Sequence, residues 1–465
     1  MRKENNGTRD PNNFLSSQFK IHSEIFYLPI KEHYIELSSG VNHLNTPEIW
    51  KETIKKELEE DFLYQQYTSL AGFQAVNYAV KLYERFLYSG GDIFLKADLD
   101  VCMTVGASQA ADLSLAYLQS IGRKKILLVG MMYPLYVTLA LDYGFEIEES
   151  HSSLAGRDMP AVDELLRDIK RYKADVVVFS YPNNPSGERY TDDELNQIMK
   201  FLRKEKIYCI FDCVCNIIMS EKKVLVPESH VLKNKMQEQC IIINSFSKTE
   251  SVPGFRIGYI AGDYDLMRFV RPKQLAIMNP PNIPTIAVWL TMLFRCLYMS
   301  EQYEQTEKER QRIIRCFKRV FLFTTPLCSQ KIRNYISNLI DERLQVEYAK
   351  YKAELFAQER LFASNKKYIE EQLHPFIEES TQMDAGFNYL IKLSTCRRIN
   401  ELEFCQQLLE KTGIAVFTES GFSIKKAEID NYWIRISLAV QEERFHKAID
   451  RLRLYLFEME EQVVK

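Results

Sequence analysis

Four short runs of almost unbroken apolar residues punctuate the chain between residues 125 and 247: KILLVG (125–130), DVVVFSYP (175–182), IYCIFD (207–212) and CIIINSFS (240–247). A strand that is apolar at every position has both faces buried, and several such strands are accommodated only in a parallel sheet covered by helices on each side. The intervening segments supply those helices. ASQAADLSLAYLQSI (107–121) has helical spacing, and YVTLALDYG (136–144) is helical and closed by Gly144. TDDELNQIMKFLRKEK (191–206) opens on Thr191 with Glu194 three residues on, a capping box. KETIKKELEEDF (51–62) and AVNYAVKLYERFLY (75–88) are helical upstream. An α/β domain is therefore expected over 46–320. Residues 300–375 are rich in Glu, Lys, Arg and Gln at helical spacing. Beyond them FNYLIKL (387–393), IAVFTES (414–420) and WIRISLAV (433–440) are strand-like among helices, so a smaller α+β domain is expected over 321–465. Residues 1–45 read as an arm that joins this small domain.

The 465 residues are 46% hydrophobic and 26% charged, an ordinary globular balance. A formal net charge of −3 gives no overall basic excess for nucleic acid. The polar start MRKENNGTRDPNNF has no apolar segment of a signal peptide, and no apolar run is long enough for a membrane span. The ten cysteines are irregularly spaced. Cys213 and Cys215 form C-x-C without a second pair at metal-ligand distance, so reduced thiols and no metal site are expected. These features together point to a cytoplasmic protein.

Ligands of open parallel sheets bind at the carboxyl ends of the strands, and five features fall at such places. VGASQA (105–110) is a glycine turn opening a helix; its amides and the Ser108 hydroxyl suit an anion, although taken alone the segment reads better as a plain turn. YPNNPSG (181–187) is a rigid loop after a buried strand, carrying Asn184. Asp212 ends IYCIFD, where a carboxylate needs either a cation or a helix to cap. Lys248 stands in NSFSKTESVPGFRIGYIAG (244–262), followed by Arg256; the segment reads as an amine nucleophile with a phosphate-binding group or as a solvated loop. Arg435 lies on an apolar strand and requires an anionic partner, from the protein or from a substrate.

In their order and intervals these motifs resemble the class I/II aminotransferases, the fold-type I pyridoxal-phosphate (PLP) enzymes, from about Ile35 to Val440. YPNNPSG resembles N-P-x-N-P-T-G, FDCVC sits at the family's D-x-x-Y strand end, and SFSK with GFRIG resembles S-x-S-K…G-x-R-x-G. Asp212 follows Asn184 by 28 residues, Lys248 follows Asp212 by 36, and Arg256 follows by eight. The resemblance implies a large domain with a mainly parallel seven-stranded sheet, a smaller α+β domain and a homodimer with active sites at the subunit interface. It implies that Lys248 forms the Schiff base with PLP and shuttles a proton, that Asp212 pairs with the ring nitrogen, and that Asn184 bonds the cofactor's phenolic oxygen. It assigns the phosphate to Gly106, Ala107, Ser108, Ser245, Ser247 and Arg256, with Tyr67 reaching that of the neighbouring subunit. Tyr136 in YPLY would stack on the ring, and Arg435, helped by Gly40, would grip the substrate α-carboxylate.

Cys215 stands where the family carries a tyrosine, which leaves the phenolic oxygen to Asn184 alone. The helical segment around 300–355 is longer than the family needs and reads as a dimer extension or a solvated hairpin. The implied function is amino transfer from an α-amino acid to a 2-oxo acid. A PLP-dependent lyase, cyclase or oxidase is the alternative within that chemistry. A regulator built on a retired enzyme domain is the alternative outside it, and it predicts loss of Lys248, Asp212 or Arg256, all of which are present.

Overall fold

The computed structural model describes residues 10–21, 34–60, 65, 67–69, 71–94, 98–216, 226–277, 284–325, 329–395, 399–425 and 432–464. A two-residue strand β1 (Ile35–Glu36) precedes seven longer ones: β2 (Asp100–Val105), β3 (Lys125–Val129), β4 (Glu146–Ser150), β5 (Val176–Ser180), β6 (Tyr208–Asp212), β7 (Cys240–Ser245) and β8 (Ile257–Gly262). These seven form one sheet in the order β2-β8-β7-β6-β5-β3-β4, in which only β8 runs against its neighbours. The expected strands β3, β5, β6 and β7 are its centre.

Side chains of a strand alternate between faces, and the two faces carry different helices. Val176 and Val178 pack with Ala111, Leu115, Val137 and Val270, from helices Gly106–Ser120, Leu135–Asp142 and Tyr264–Ile277. Val177 and Phe179 pack with Leu165, Ile198, Phe86 and Trp289, from helices Val162–Tyr172, Asp192–Glu205, Gln74–Ser89 and Thr285–Gln302. The capping box at Thr191 forms: its hydroxyl accepts from the Glu194 amide, and the Glu194 carboxylate accepts from the Thr191 amide at 2.7 Å.

Strands β2, β4 and β8 go beyond those the apolar pattern picks out. β8, IGYIAG, holds two glycines, which strands disfavour. A Cβ at Gly258 would lie 2.5 Å from the Gly106 carbonyl carbon, so this close approach admits nothing larger. β4, EIEES, lies at the sheet edge and carries three glutamates.

The region expected as a solvated hairpin or dimer extension is an added helical layer. Helices Glu307–Thr324, Gln330–Asn338 and Leu344–Gln372, with a π turn at Leu339–Arg343, place Ile313, Phe317, Phe321, Ile336, Tyr351 and Leu355 in the core around Trp289. Most of their charged residues face outward, although Glu347 and Glu359 are buried, and Phe323 and Val346 leave apolar surface exposed. The apolar boundary between domains therefore falls within helix Leu344–Gln372, not at residue 320. Leu355 belongs to the sheet's core, whereas Phe362 belongs to a second core shared with Ile35, Leu37 and Leu44 of the arm.

The small domain contains β9 (Ile377–Ser380), β10 (Asn388–Leu393), β11 (Ile414–Ala415), β12 (Phe417–Thr418) and β13 (Trp433–Ser437). Four of them form an antiparallel sheet in the order β12-β13-β10-β9, and β11 pairs in parallel with β1 of the arm. The single strand expected over 414–420 is thus two short strands in different sheets, and the run 433–440 leaves its strand after Ser437. Among the described residues no helix is long and apolar enough to cross a membrane.

Candidate active site

The carboxyl ends of β2, β3, β5, β6 and β7 share one edge of the large sheet. Because β8 runs oppositely, its beginning, preceded by Arg256, lies at that same edge. A cavity of about 360 Å³ opens there, closed on the other side by the arm and the small domain. Lys248 and Asp212 both line it, together with Asn184, Cys215 and Arg435.

One end of the cavity is rich in hydrogen-bond donors. Ala107 and Ser108 are at the start of a 15-residue helix, where backbone N–H groups have no intrahelical acceptor. Ser245, Ser247 and Arg256 line the same cavity. Arg256 adopts φ 53°, the left-handed region that an arginine enters only under constraint, and its guanidinium donates to the Pro253 carbonyl at 3.2 Å. Gly106 itself is buried behind the lining. A Cβ there would come within 2.7 Å of the Arg256 guanidinium, and its φ of +70° suits glycine.

At the centre, Asp212 Oδ1 accepts from the Val214 amide at 3.1 Å, and Oδ2 accepts from the Tyr136 hydroxyl at 2.9 Å. Burial pushes the Asp212 carboxyl above its ordinary value, while those two donors and the charge of Lys248 pull it back in part. Burial lowers the Lys248 ammonium below its ordinary value; the charges of Arg435 and Arg256 add to this, and Cys215 and Asp212 oppose it. The Lys248 backbone is fixed by Asn42, whose amide donates to its carbonyl at 3.0 Å. Glu250, two residues on, accepts from Arg295 at 2.8 Å and from the Tyr351 hydroxyl at 2.8 Å. Burial pushes the Cys215 thiol up to about 11, so it is neutral at pH 7.

The other end is built around Arg435 on β13. Its guanidinium donates to Asn184 Oδ1 at 3.1 Å and to the Ser38 carbonyl, and it lies over the Phe422 ring at 4.4 Å. Its Nε is buried without a partner, and among the described residues no carboxylate comes within ion-pair distance. Burial lowers its pKa to about 10, which leaves it charged at neutral pH. Gly40 lines the same end of the cavity, and a Cβ there would make only an ordinary contact with the guanidinium, 3.5 Å away. Asn184 Oδ1 also accepts from Asn388 at 3.1 Å. With its oxygen committed, Asn184 retains its amide N–H groups for the cavity.

Two residues stand elsewhere than expected. Tyr136 does not line the cavity; it is buried beneath it and holds Asp212. The aromatic that does face the cavity from YPLY is Tyr133, three residues earlier. The helix Leu135–Asp142 turns positions 133 and 136 toward different depths, which the spacing of the motif alone does not reveal. Tyr67 is 95% exposed and does not line this chain's cavity. Ser39, Val41 and Phe422 also line the cavity. Ser39 and Val41 flank the expected Gly40, whereas Phe422 comes from a loop with no periodic signal.

The model of the family "Aminotransferase class I and II" matches residues 32–452. The chain is 26% identical over 239 residues to a probable N-acetyl-LL-diaminopimelate aminotransferase of Bacillus subtilis, covering 51% of this chain and 58% of that protein. It therefore spans under two thirds of that relative's length. It is 24% identical over 429 residues to the aspartate aminotransferase of Geobacillus stearothermophilus, covering 91% of each. Among solved structures, an aminotransferase from Mycobacterium tuberculosis superposes with a TM-score of 0.68 at 19% identity, covering 96% of both chains. A Thermus thermophilus aspartate aminotransferase variant gives 0.67 at 18%, covering 94% of this chain and 95% of that one. At these identities the likeness to the solved structures is one of fold, the mainly parallel sheet with its smaller C-terminal domain.

Proposed function

The chain belongs to the class I and II aminotransferase family, and from that premise we propose that it is a PLP-dependent aminotransferase moving an amino group from an α-amino acid to a 2-oxo acid. The observation that carries this reading is the meeting, around one cavity, of Lys248, Asp212 and an Arg435 that has no carboxylate partner among the described residues.

The residues present fit the cofactor. Ala107, Ser108, Ser245, Ser247 and Arg256 would hold its phosphate, Asp212 its ring nitrogen and Asn184 its phenolic oxygen. Tyr133 would cover the ring. When bound, PLP supplies an aldehyde that exchanges between amines and a ring that accepts the electron pair released at Cα.

The protein's own groups divide the remaining work. Arg435 receives the substrate α-carboxylate, which provides the charge its buried guanidinium lacks and fixes the direction of the Cα–H bond. Burial destabilises the Lys248 ammonium, which eases the release of its proton and suits Nζ to accept a proton at Cα and to return it. Asp212 is a buried carboxyl whose negative charge is stabilised by any cation placed before it. Cys215 offers only a weak donor at the place of the family's tyrosine. We also propose a homodimer in which Tyr67, which does not line the cavity of its own chain, contributes to its partner's.

The test is product analysis with PLP, a panel of amino donors and a 2-oxo acid. Formation of a new amino acid that requires both donor and acceptor is expected. Conversion of the donor without any acceptor would support the lyase, cyclase or oxidase reading instead.

A further inference from the structure

The cavity has one aromatic wall from each domain, Tyr133 and Phe422, and both are tied to a single histidine outside it. His151 follows the edge strand β4. Its Nε2 lies 2.9 Å from Glu149 Oε2, and its Nδ1 lies 2.9 Å from Asp158 Oδ1. Both partners are carboxylates, so both ring nitrogens donate and the ring is an imidazolium. Burial alone would lower its pKa, but the bonds to Asp158 and Glu149 outweigh this and raise it to about 10.

The two carboxylates each reach one wall. Glu149 accepts from the Ser423 hydroxyl at 2.7 Å and from the Ile424 amide at 2.8 Å, the two residues after Phe422. Asp158 Oδ2 accepts from the Met131 amide at 2.7 Å, two residues before Tyr133. The walls are also joined directly, because the Met132 amide donates to the Phe422 carbonyl at 2.9 Å. Phe422 in turn lies beneath the Arg435 guanidinium. Without the imidazolium, two buried carboxylates would stand together with like charge, and neither would hold its loop as well. Three further groups complete this surrounding. Glu188 accepts from the Asp158 amide and lies 3.6 Å from Arg157, and Glu419 in the small domain is pushed by burial to about 7.

We propose that His151 is a positioning residue for the amino-acid end of the cavity: bridging Glu149 and Asp158, it fixes the Phe422 loop of the small domain against the Tyr133 loop of the large one and so seats Arg435. This rests on the aminotransferase reading for its consequence, whereas the clamp itself is a property of the fold. His151 touches neither the cavity nor the residues assigned to the phosphate, so its loss should act on one end only.

The experiment compares the parent holoenzyme with His151→Gln and Ser423→Ala. For His151→Gln, which removes the charge from both bonds, the KM of the amino donor is expected to rise about tenfold or more, at least the effect of losing one of the two. Its kcat and PLP affinity should be largely kept. Ser423→Ala removes one tie and leaves the histidine, and a rise of about threefold is expected. It also serves if His151→Gln fails to fold. Amide hydrogen exchange at 131–133 and 419–425 should quicken in each variant, a readout that needs no turnover. Unchanged exchange in these loops, or a KM that stays at the parent value, overturns the proposal. A parent protein without transfer activity overturns the aminotransferase reading and leaves the exchange measurement to judge the clamp.

Discussion

Arg435 is the residue whose surroundings say most about a ligand. It is 3% exposed on a strand, stacked over Phe422, and among the described residues given two neutral acceptors but no carboxylate. A buried guanidinium in this state gains most when a carboxylate arrives. Arg435→Gln should therefore lower kcat/KM for the amino donor by about 3 kcal/mol or more, with PLP affinity near the parent value. Steady-state kinetics beside a cofactor titration check this, and a variant that loses both equally would contradict the assignment. Gly106 marks the opposite end. Gly106→Ala adds a methyl within 2.7 Å of Arg256 and forces alanine to φ +70°, so PLP should bind more weakly while substrate KM moves less. Arg435 was legible in the sequence, because an arginine on an apolar strand demands a partner, whereas Gly106 read as a plain turn and took its role only from the family resemblance. The exchange of Tyr133 for Tyr136 was not legible. Two tyrosines three residues apart carry the same chemistry, and only the start of helix Leu135–Asp142 decides which one faces the ligand. Ser38 and Asn388, which orient Arg435 and Asn184, were invisible for another reason: their partners lie 397 and 204 residues away.

At the level of elements, the segment carrying Lys248 is held from behind. Arg295 on the apolar helix Thr285–Gln302 pairs with Glu250, stacks on Phe246 at 5.2 Å, and is joined by Tyr351 from the added helical layer. Removing Arg295 alone would leave Glu250 buried and unpaired. Arg295→Met should cost about 3–5 kcal/mol of stability, and Tyr351→Phe about 1 kcal/mol, both read from denaturant unfolding. Near-equal effects would contradict the pairing described. The apolar strands and the capped helix at Thr191 followed from local pattern, since burial on two faces and an orphaned N-terminus each leave a signature in neighbouring residues. β8 and β4 did not, because their composition answers to something distant. Gly258 is small on account of Gly106, and the glutamates of β4 include one that serves His151 and the loop after Phe422.

For the whole molecule, the two cores meet along helix Leu344–Gln372, and the His151 cluster ties the domains at the cavity. The histidine's folded pKa of about 10 stands above its ordinary 6.5. Its contribution to stability is therefore fully present below pH 6.5 and is lost as pH rises through about 10. Thermal unfolding should show the parent losing stability over that window more steeply than His151→Gln; parallel profiles would contradict it. The domain boundary was hidden from composition because one continuous helix belongs to both cores, and its Glu, Lys and Gln residues change little where the buried partners change. Tyr67 adds a prediction about assembly: the protein should sediment as a species of two chains, and Tyr67→Phe should weaken PLP binding without altering that state. The central claim is that the Lys248 amine carries the cofactor. Borohydride reduction of the PLP-loaded protein, followed by peptide mass spectrometry, tests it most directly. A pyridoxyl phosphate group on Lys248, absent from Lys248→Ala, is the expected result, whereas label on other lysines alone, or none at all, would contradict it.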